Sequence, residues 1–201
     1  MIIAWNVSLH DNDTYMLGET FRPENPGPYY HWRFGKDGVP HPATCPTCGR
    51  KTNPNYINPD FRLKRRKWDA GVTYDGYIIV SERFKALCED RHWSGISFTP
   101  LPAEPGFFVL TLTELLHFDA ARRGTRFENW CPTCKAYFSV VGATPVFLKD
   151  VQEPILEGFY RSDLEFASGH EQHPLMIVGN ETAQVLKAAK LSKLDFLAIK
   201  A

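Results

Sequence analysis

The stretch YIIVSERFKALCEDRHWSGISFTPL, residues 77–101, carries the pattern that decides the fold. Tyr77-Ile78-Ile79-Val80 is a β-type apolar run. Ser81-Glu82 follows as an N-cap with an acidic first turn, the combination that satisfies and complements the free N–H groups of a helix start. Phe84, Leu87 and Cys88 then fall at i, i+3 and i+4, one face of a 3.6-residue period, and predict a helix over about residues 82–92. After Gly95, Ile96-Ser97-Phe98-Thr99-Pro100-Leu101 alternates apolar and polar residues as a half-buried strand does. The unit reads strand, helix, strand.

The same pattern returns 98 residues later without a gap. Met176-Ile177-Val178 stands against Ile78-Ile79-Val80, Ser192 against Ser94, and Leu194-Asp195-Phe196 against Ile96-Ser97-Phe98. In the second helix Thr182, Val185 and Leu186 take the places of Phe84, Leu87 and Cys88, so the buried stripe is largely kept. Further strands are expected at 107–112, 137–141 and 146–148, while the Pro- and Gly-rich residues 1–60 read as short strands joined by irregular loops. The fold class is α+β, a mixed sheet with two strand-helix-strand units, in one domain spanning 1–201.

Composition sets bounds on function. With 201 residues, 43% hydrophobic and 23% charged, the chain has an ordinary globular make-up and is long enough to bury a core without a disulfide scaffold. Lys plus Arg (23) equals Asp plus Glu (23), so any electrostatic partner must use a local patch. The N-terminus has no basic region followed by an apolar run, and no apolar stretch is long enough to cross a bilayer. The expectation is a soluble cytoplasmic protein with no membrane contact.

Cys45-Pro46-Thr47-Cys48 and Cys131-Pro132-Thr133-Cys134 are two copies of one tetrapeptide, separated by 82 residues. Two cysteines three apart in a tight turn can both reach one Zn²⁺ at about 2.3 Å. Two such knuckles predict a Cys₄ zinc-ribbon element built from residues 43–52 and 129–138. Four protein ligands leave no open position, so the expected Zn²⁺ is structural. A redox CxxC, a rubredoxin-like iron site and paired disulfides are the other readings of such pairs. The first needs a helix start that neither pair has, and the last is disfavoured in a reducing compartment. Gly49 suits the left-handed turn a knuckle needs. Lys135, at the matching place, departs from it and sets a cation beside a centre of formal charge −2.

Other candidates are weaker. Cys88 lies on the apolar helix face and reads as core. His41, His117 and the His170/His173 pair form no recognised ligand set, and no nucleophile elbow, Walker loop, dinucleotide fingerprint or zincin motif occurs, so no enzyme is expected. The basic run Arg62, Lys64, Arg65, Arg66, Lys67 before Trp68 is of the kind that grips phosphates, which makes nucleic-acid binding the alternative function. Against it stands an acidic stretch with Asp150, Glu153, Glu157, Asp163 and Glu165.

The two CPTC knuckles, with YDGYIIVSERFKALCEDRHWSGISFTPL, EGFYRSDLEF and PLMIVGNETAQVLKAAKLSKLDFLAI, resemble the double-CXXCG motif family of myxobacterial paralogues. The resemblance covers about residues 40–201, and the second knuckle departs from it, reading CPTCK where the family has CXXCG. That family is regarded as immunity proteins of contact-delivered polymorphic toxins. The resemblance implies a cytoplasmic protein that binds a cognate toxin without turnover, its metal held by Cys45, Cys48, Cys131 and Cys134. A toxin acting on nucleic acid presents a basic cleft, so the expected contact surface is Asp150, Glu153, Glu157, Asp163 and Glu165.

Overall fold

A computed structural model describes residues 1–18 and 41–201, with the backbone of two short strands between them. The irregular loops expected within residues 22–32 lie outside the described residues. In chain order the elements are β1 (Ile2–Leu9), β2 (Thr20–Phe21), β3 (Arg33–Phe34), β4 (Ala70–Val72), β5 (Ile78–Ser81), α1 (Glu82–Asp90), β6 (Ile96–Pro100), β7 (Phe107–Leu112) and β8 (Leu115–Leu116). There follow α2 (Ala120–Arg123), β9 (Arg126–Cys131), β10 (Ala136–Val141), β11 (Phe159–Ser168), β12 (His173–Val178), α3 (Asn180–Ala188) and β13 (Leu194–Lys200).

Local chemistry accounts for the helices. Ser81 Oγ accepts the Phe84 N–H at 3.3 Å, Glu82 occupies the first turn, and Phe84 and Cys88 bury the i, i+4 face of α1. The expected end near residue 92 moves in by two residues, because Arg91 caps the helix and His92 turns left-handed at φ 52. In α3 the cap is Gly179, where a Cβ would meet the Leu156 carbonyl oxygen at 2.4 Å.

The two strand-helix-strand units sit in separate sheets. The first lies in a four-stranded sheet ordered β4-β5-β7-β6. The second lies in a larger sheet ordered β13-β1-β12-β11-β10-β9, made mixed by β8 running parallel to β11. The N-terminal residues therefore supply more than short strands: β1 is eight residues long and fills the place between β12 and β13. The run 146–148, expected as a strand, makes only an isolated bridge from Leu148 to Phe118 and fills a core with Val146.

Pairing by pairing, the two sheets repeat one ladder. Phe98 opposes Leu110 as Phe196 opposes Val7, and Ile96 opposes Leu112 as Leu194 opposes Leu9. On the other side of the middle strand Ile78 opposes Leu110 as Met176 opposes Val7. One strand further out Val72 opposes Ile78 as Arg161 opposes Met176. Left-handed residues recur in step as well, at His92 (φ 52) and Lys190 (φ 49), then at Gly95 (φ 80) and Lys193 (φ 70). The difference is connectivity: the middle strand β7 follows its unit, whereas β1 precedes its own by most of the chain.

Each middle strand runs on into the opposite half. Beyond β1, Val72 of β4 donates its N–H to the His10 carbonyl at 3.0 Å. Beyond β7, Arg161 of β11 donates to the Glu114 carbonyl at 2.7 Å. The interlocked halves share one apolar core, with Phe84 and Cys88 of α1 and Ala183 and Leu186 of α3 packed among Val7, Val80, Leu110 and Val178. At about 25 cal/mol per Å² of apolar surface this shared core is the main source of cohesion between the sheets.

Candidate metal centre

The first knuckle closes on itself. Thr44 bridges Lys51, Gly49 donates its N–H to the Cys45 carbonyl at 2.8 Å, and Cys45 donates to the Arg50 carbonyl at 2.7 Å. The chain turns back through Gly49 at φ 75. The second knuckle is the tip of the β9–β10 hairpin, where Cys131 opposes Ala136, and its left-handed residue is Lys135 at φ 54. An L-residue there costs about 1–2 kcal/mol relative to its right-handed conformation, so the departure seen in the sequence becomes a local backbone cost.

The knuckles face each other. Cys45 Sγ lies 3.9 Å from Cys131 Sγ, and Cys48 Sγ 3.6 Å from Cys134 Sγ. All four sulfurs lie within 4.8 Å of one another. A tetrahedron with metal–sulfur bonds of about 2.3 Å has edges of about 3.8 Å, so the donor set fits a metal ion. Thr47 and Thr133, the same position in each tetrapeptide, join their hydroxyls at 2.8 Å. Cys45, Cys48 and Cys131 are buried around Phe138, and Cys134 is half-buried. Burial pushes the Cys48 and Cys134 thiols up, the expected state of buried sulfur without a cation. At Cys131 burial acts in the same direction but loses to the N–H groups of Cys134 and Thr133, which bring the thiol down to about 7.

Residues remote in sequence brace this centre. Gln172, 1% exposed, donates its amide to the Tyr137 and Phe138 carbonyls at 3.1 Å and accepts Arg50 Nε at 2.6 Å. Arg50 also holds Glu165 at 2.7 Å. Gln172 thus ties the strand behind one knuckle to the residue after the other. A lone Gln in a polar loop has no sequence signal, and only its burial reveals the role.

The remaining candidates disperse. His41 Nδ1 accepts the Ala43 N–H at 3.0 Å while its ring stands on Tyr56. His170 is 1% exposed, and burial lowers it to about 4; His173, two residues beyond the short 3₁₀ turn, gives Nδ1 to the Glu171 carbonyl at 2.8 Å. His117 stands after β8, 3.0 Å from Asp163. Cys88 is in the core, where burial raises it to about 12.

The charged runs divide in the same way. Of the basic run, Arg62 donates to the Ala103 carbonyl, Arg65 pairs with Asp13 at 2.5 Å and Arg66 with Glu104 at 2.9 Å, so all three arginines are tied back to the fold. Of the acidic stretch, Asp163 accepts the Phe118 N–H at 2.8 Å, and Glu165 is shared by Arg50 and Arg161. Asp150, Glu153 and Glu157 are exposed. Asp150 and Glu153 border an open groove of about 430 Å³ lined by Leu116, Val151, Ile155 and Tyr160.

Comparison of the chain with protein-family models, with curated proteins and with solved structures found no match. No described helix is long and apolar enough to cross a membrane.

Proposed function

We propose that this chain is an immunity protein, one that binds and neutralises a cognate toxin on a surface made rigid by a structural Zn²⁺. The observation that supports the metal is the closed donor set: four cysteine sulfurs at tetrahedral spacing from two loops far apart in sequence. Cys45, Cys48, Cys131 and Cys134 would hold the ion with no position left for water or substrate, so it contributes rigidity and no reaction step. A preorganised surface lowers the ordering cost of binding, which suits an inhibitor. The toxin itself is inferred from the family resemblance.

The groove beside Asp150 and Glu153 is the contact surface this reading favours. An apolar floor ringed by exposed carboxylates, with Leu115 and Leu156 exposed nearby, matches a basic partner segment carrying apolar anchors. Asp163 and Glu165, expected in the same surface, are also engaged within the fold. The test is co-purification with the toxin together with metal analysis of the same sample, followed by association kinetics of D150K/E153K/E157K. The reading requires a stoichiometric toxin complex, one zinc per chain, and slower, less salt-sensitive association of the variant. Failure to bind or neutralise the toxin refutes the function. Unchanged kinetics refute the surface alone.

A further inference from the structure

The repeated ladder builds the same cleft twice. In one copy Gly76–Ile78 of β5 and its approach, Val109–Leu112 of β7 and Arg161 of β11 line a cavity of about 600 Å³. In the other, the matching Pro174–Met176, Asn6–Leu9 and Val72 line one of about 110 Å³. The ladder therefore does not need a large cavity at this place, nor an arginine: Val72 occupies in one half the position Arg161 occupies in the other. Size and charge are both greater in one copy.

The added charge is arranged to receive an anion. Arg50 and Arg161 share a single carboxylate, Glu165, at 2.7 and 3.3 Å, which leaves one positive charge in excess. Arg50 also donates from Nε to Gln172 and from Nη1 to the Lys51 carbonyl. Arg161 Nε donates to the Ser162 carbonyl and Nη2 to Glu165, and its Nη1 makes no hydrogen bond among the described residues. Lys51 also stands in the wall, its buried ammonium donating to the Asp75 carbonyl and lying 4.7 Å from the Tyr77 ring centroid. The Asp75 carboxylate, held by the Met16 and Leu17 N–H groups at 3.0 and 2.7 Å, balances the Lys51 charge and leaves the excess on the arginine pair. Ile78, Leu110 and Leu112, at the margin of the shared core, also line the cavity. A cavity of this size with an apolar wall and a few converging polar groups has the make-up of a small-molecule site.

We propose that this cavity, between the first metal knuckle and the two sheets, binds a small amphipathic organic anion. The acid group docks on Arg161, where guanidinium geometry favours a carboxylate or phosphate, and the apolar body lies against Ile78, Leu110 and Leu112. The site is separate from the acidic groove and does not depend on the toxin reading.

The experiment is calorimetric titration of the metal-loaded full chain with three probes: phenyl phosphate, inorganic phosphate and benzyl alcohol. Phenyl phosphate is expected to saturate one site and to bind more tightly than either fragment. Arg161→Val, which installs the residue found at the matching position of the other half, weakens phenyl phosphate by about tenfold or more, the loss expected for one charge-assisted hydrogen-bonding partner. Asn55→Trp, at an exposed position on the lining, obstructs the cavity without touching the core and decides the matter if Arg161→Val does not fold. The proposal falls if phenyl phosphate shows no saturable binding, if either fragment binds as tightly, or if a folded variant of each kind binds it as the parent does.

Discussion

A metal held by the four cysteines would cross-link two segments far apart in the chain, and removing it would open that link. The Cys45–Cys131 contact joins residues 86 apart, and a link closing a loop of that length restricts the unfolded chain by about 4.6 kcal/mol on the loop-entropy model. Domains are stable by only about 5–15 kcal/mol, so the link is a large share of the total. Urea unfolding followed by tryptophan fluorescence, on metal-loaded and chelator-treated protein, reads the difference directly. With a slope of about 2 kcal/mol per molar, the midpoint is expected to fall by about 2 M. Cys131→Ser should lose the metal and the same stability, whereas Cys88→Ser should keep a full complement of metal, because Cys88 lies in the α1 core. A stripped protein that unfolds at the loaded protein's midpoint would refute the structural role.

Three further outcomes follow from the backbone and from burial. Lys135→Gly removes a left-handed L-residue and is expected to stabilise the loaded protein by about 0.5–1 kcal/mol, net of glycine's greater unfolded-state entropy, measured as a raised urea midpoint. Gly95→Ala places a Cβ 2.0 Å from the Phe159 carbonyl at φ 80 and should cost at least about 2 kcal/mol. The change Lys193→Ala, at the matching exposed position, should be near neutral in the same assay. His170 falls from 6.5 to about 4 on folding, so between those pH values the unfolded chain binds the extra proton and stability declines as pH drops through the window. The decline attributable to this group is at most about 3–4 kcal/mol. His170→Gln should flatten that part of the pH profile, and an unchanged profile would show that the buried ring is not its source.

Much of the local structure was legible because its causes are local. The cap at Ser81, the stripe of Phe84 and Cys88, and the two tetrapeptides each lie within a few residues, and the structure shows the helix and the converging sulfurs. The 98-residue repeat was legible too, but the sheets it enters were not. β1 is covered on both faces, so IIAWNVSL shows no alternation, and nothing in it indicates a place between β12 and β13. β11 was obscured differently. A register shift between Arg161 and Glu165 breaks its period of two, and Asp163 and Glu165 give it the look of a solvated acidic loop. Phe118 and Arg50 satisfy those charges from elsewhere in the chain, joined by Arg161 of the same strand. Non-local pairing of this kind leaves no mark on the surrounding sequence.

The place of β1 governs the order in which the molecule can assemble. The β4–β7 sheet is made from one continuous segment, residues 70–112, and can form as soon as that segment is free of the ribosome. The other sheet waits for β13, since β1 must be flanked on both sides and its outer neighbour, residues 194–200, is made long after it. Until then β1 carries an open edge, a segment of Ile2, Ile3, Trp5 and Val7 of the sort that seeks a partner wherever one is offered. A nascent chain stalled before residue 194 is therefore a half-closed molecule with one finished sheet and one adhesive strand.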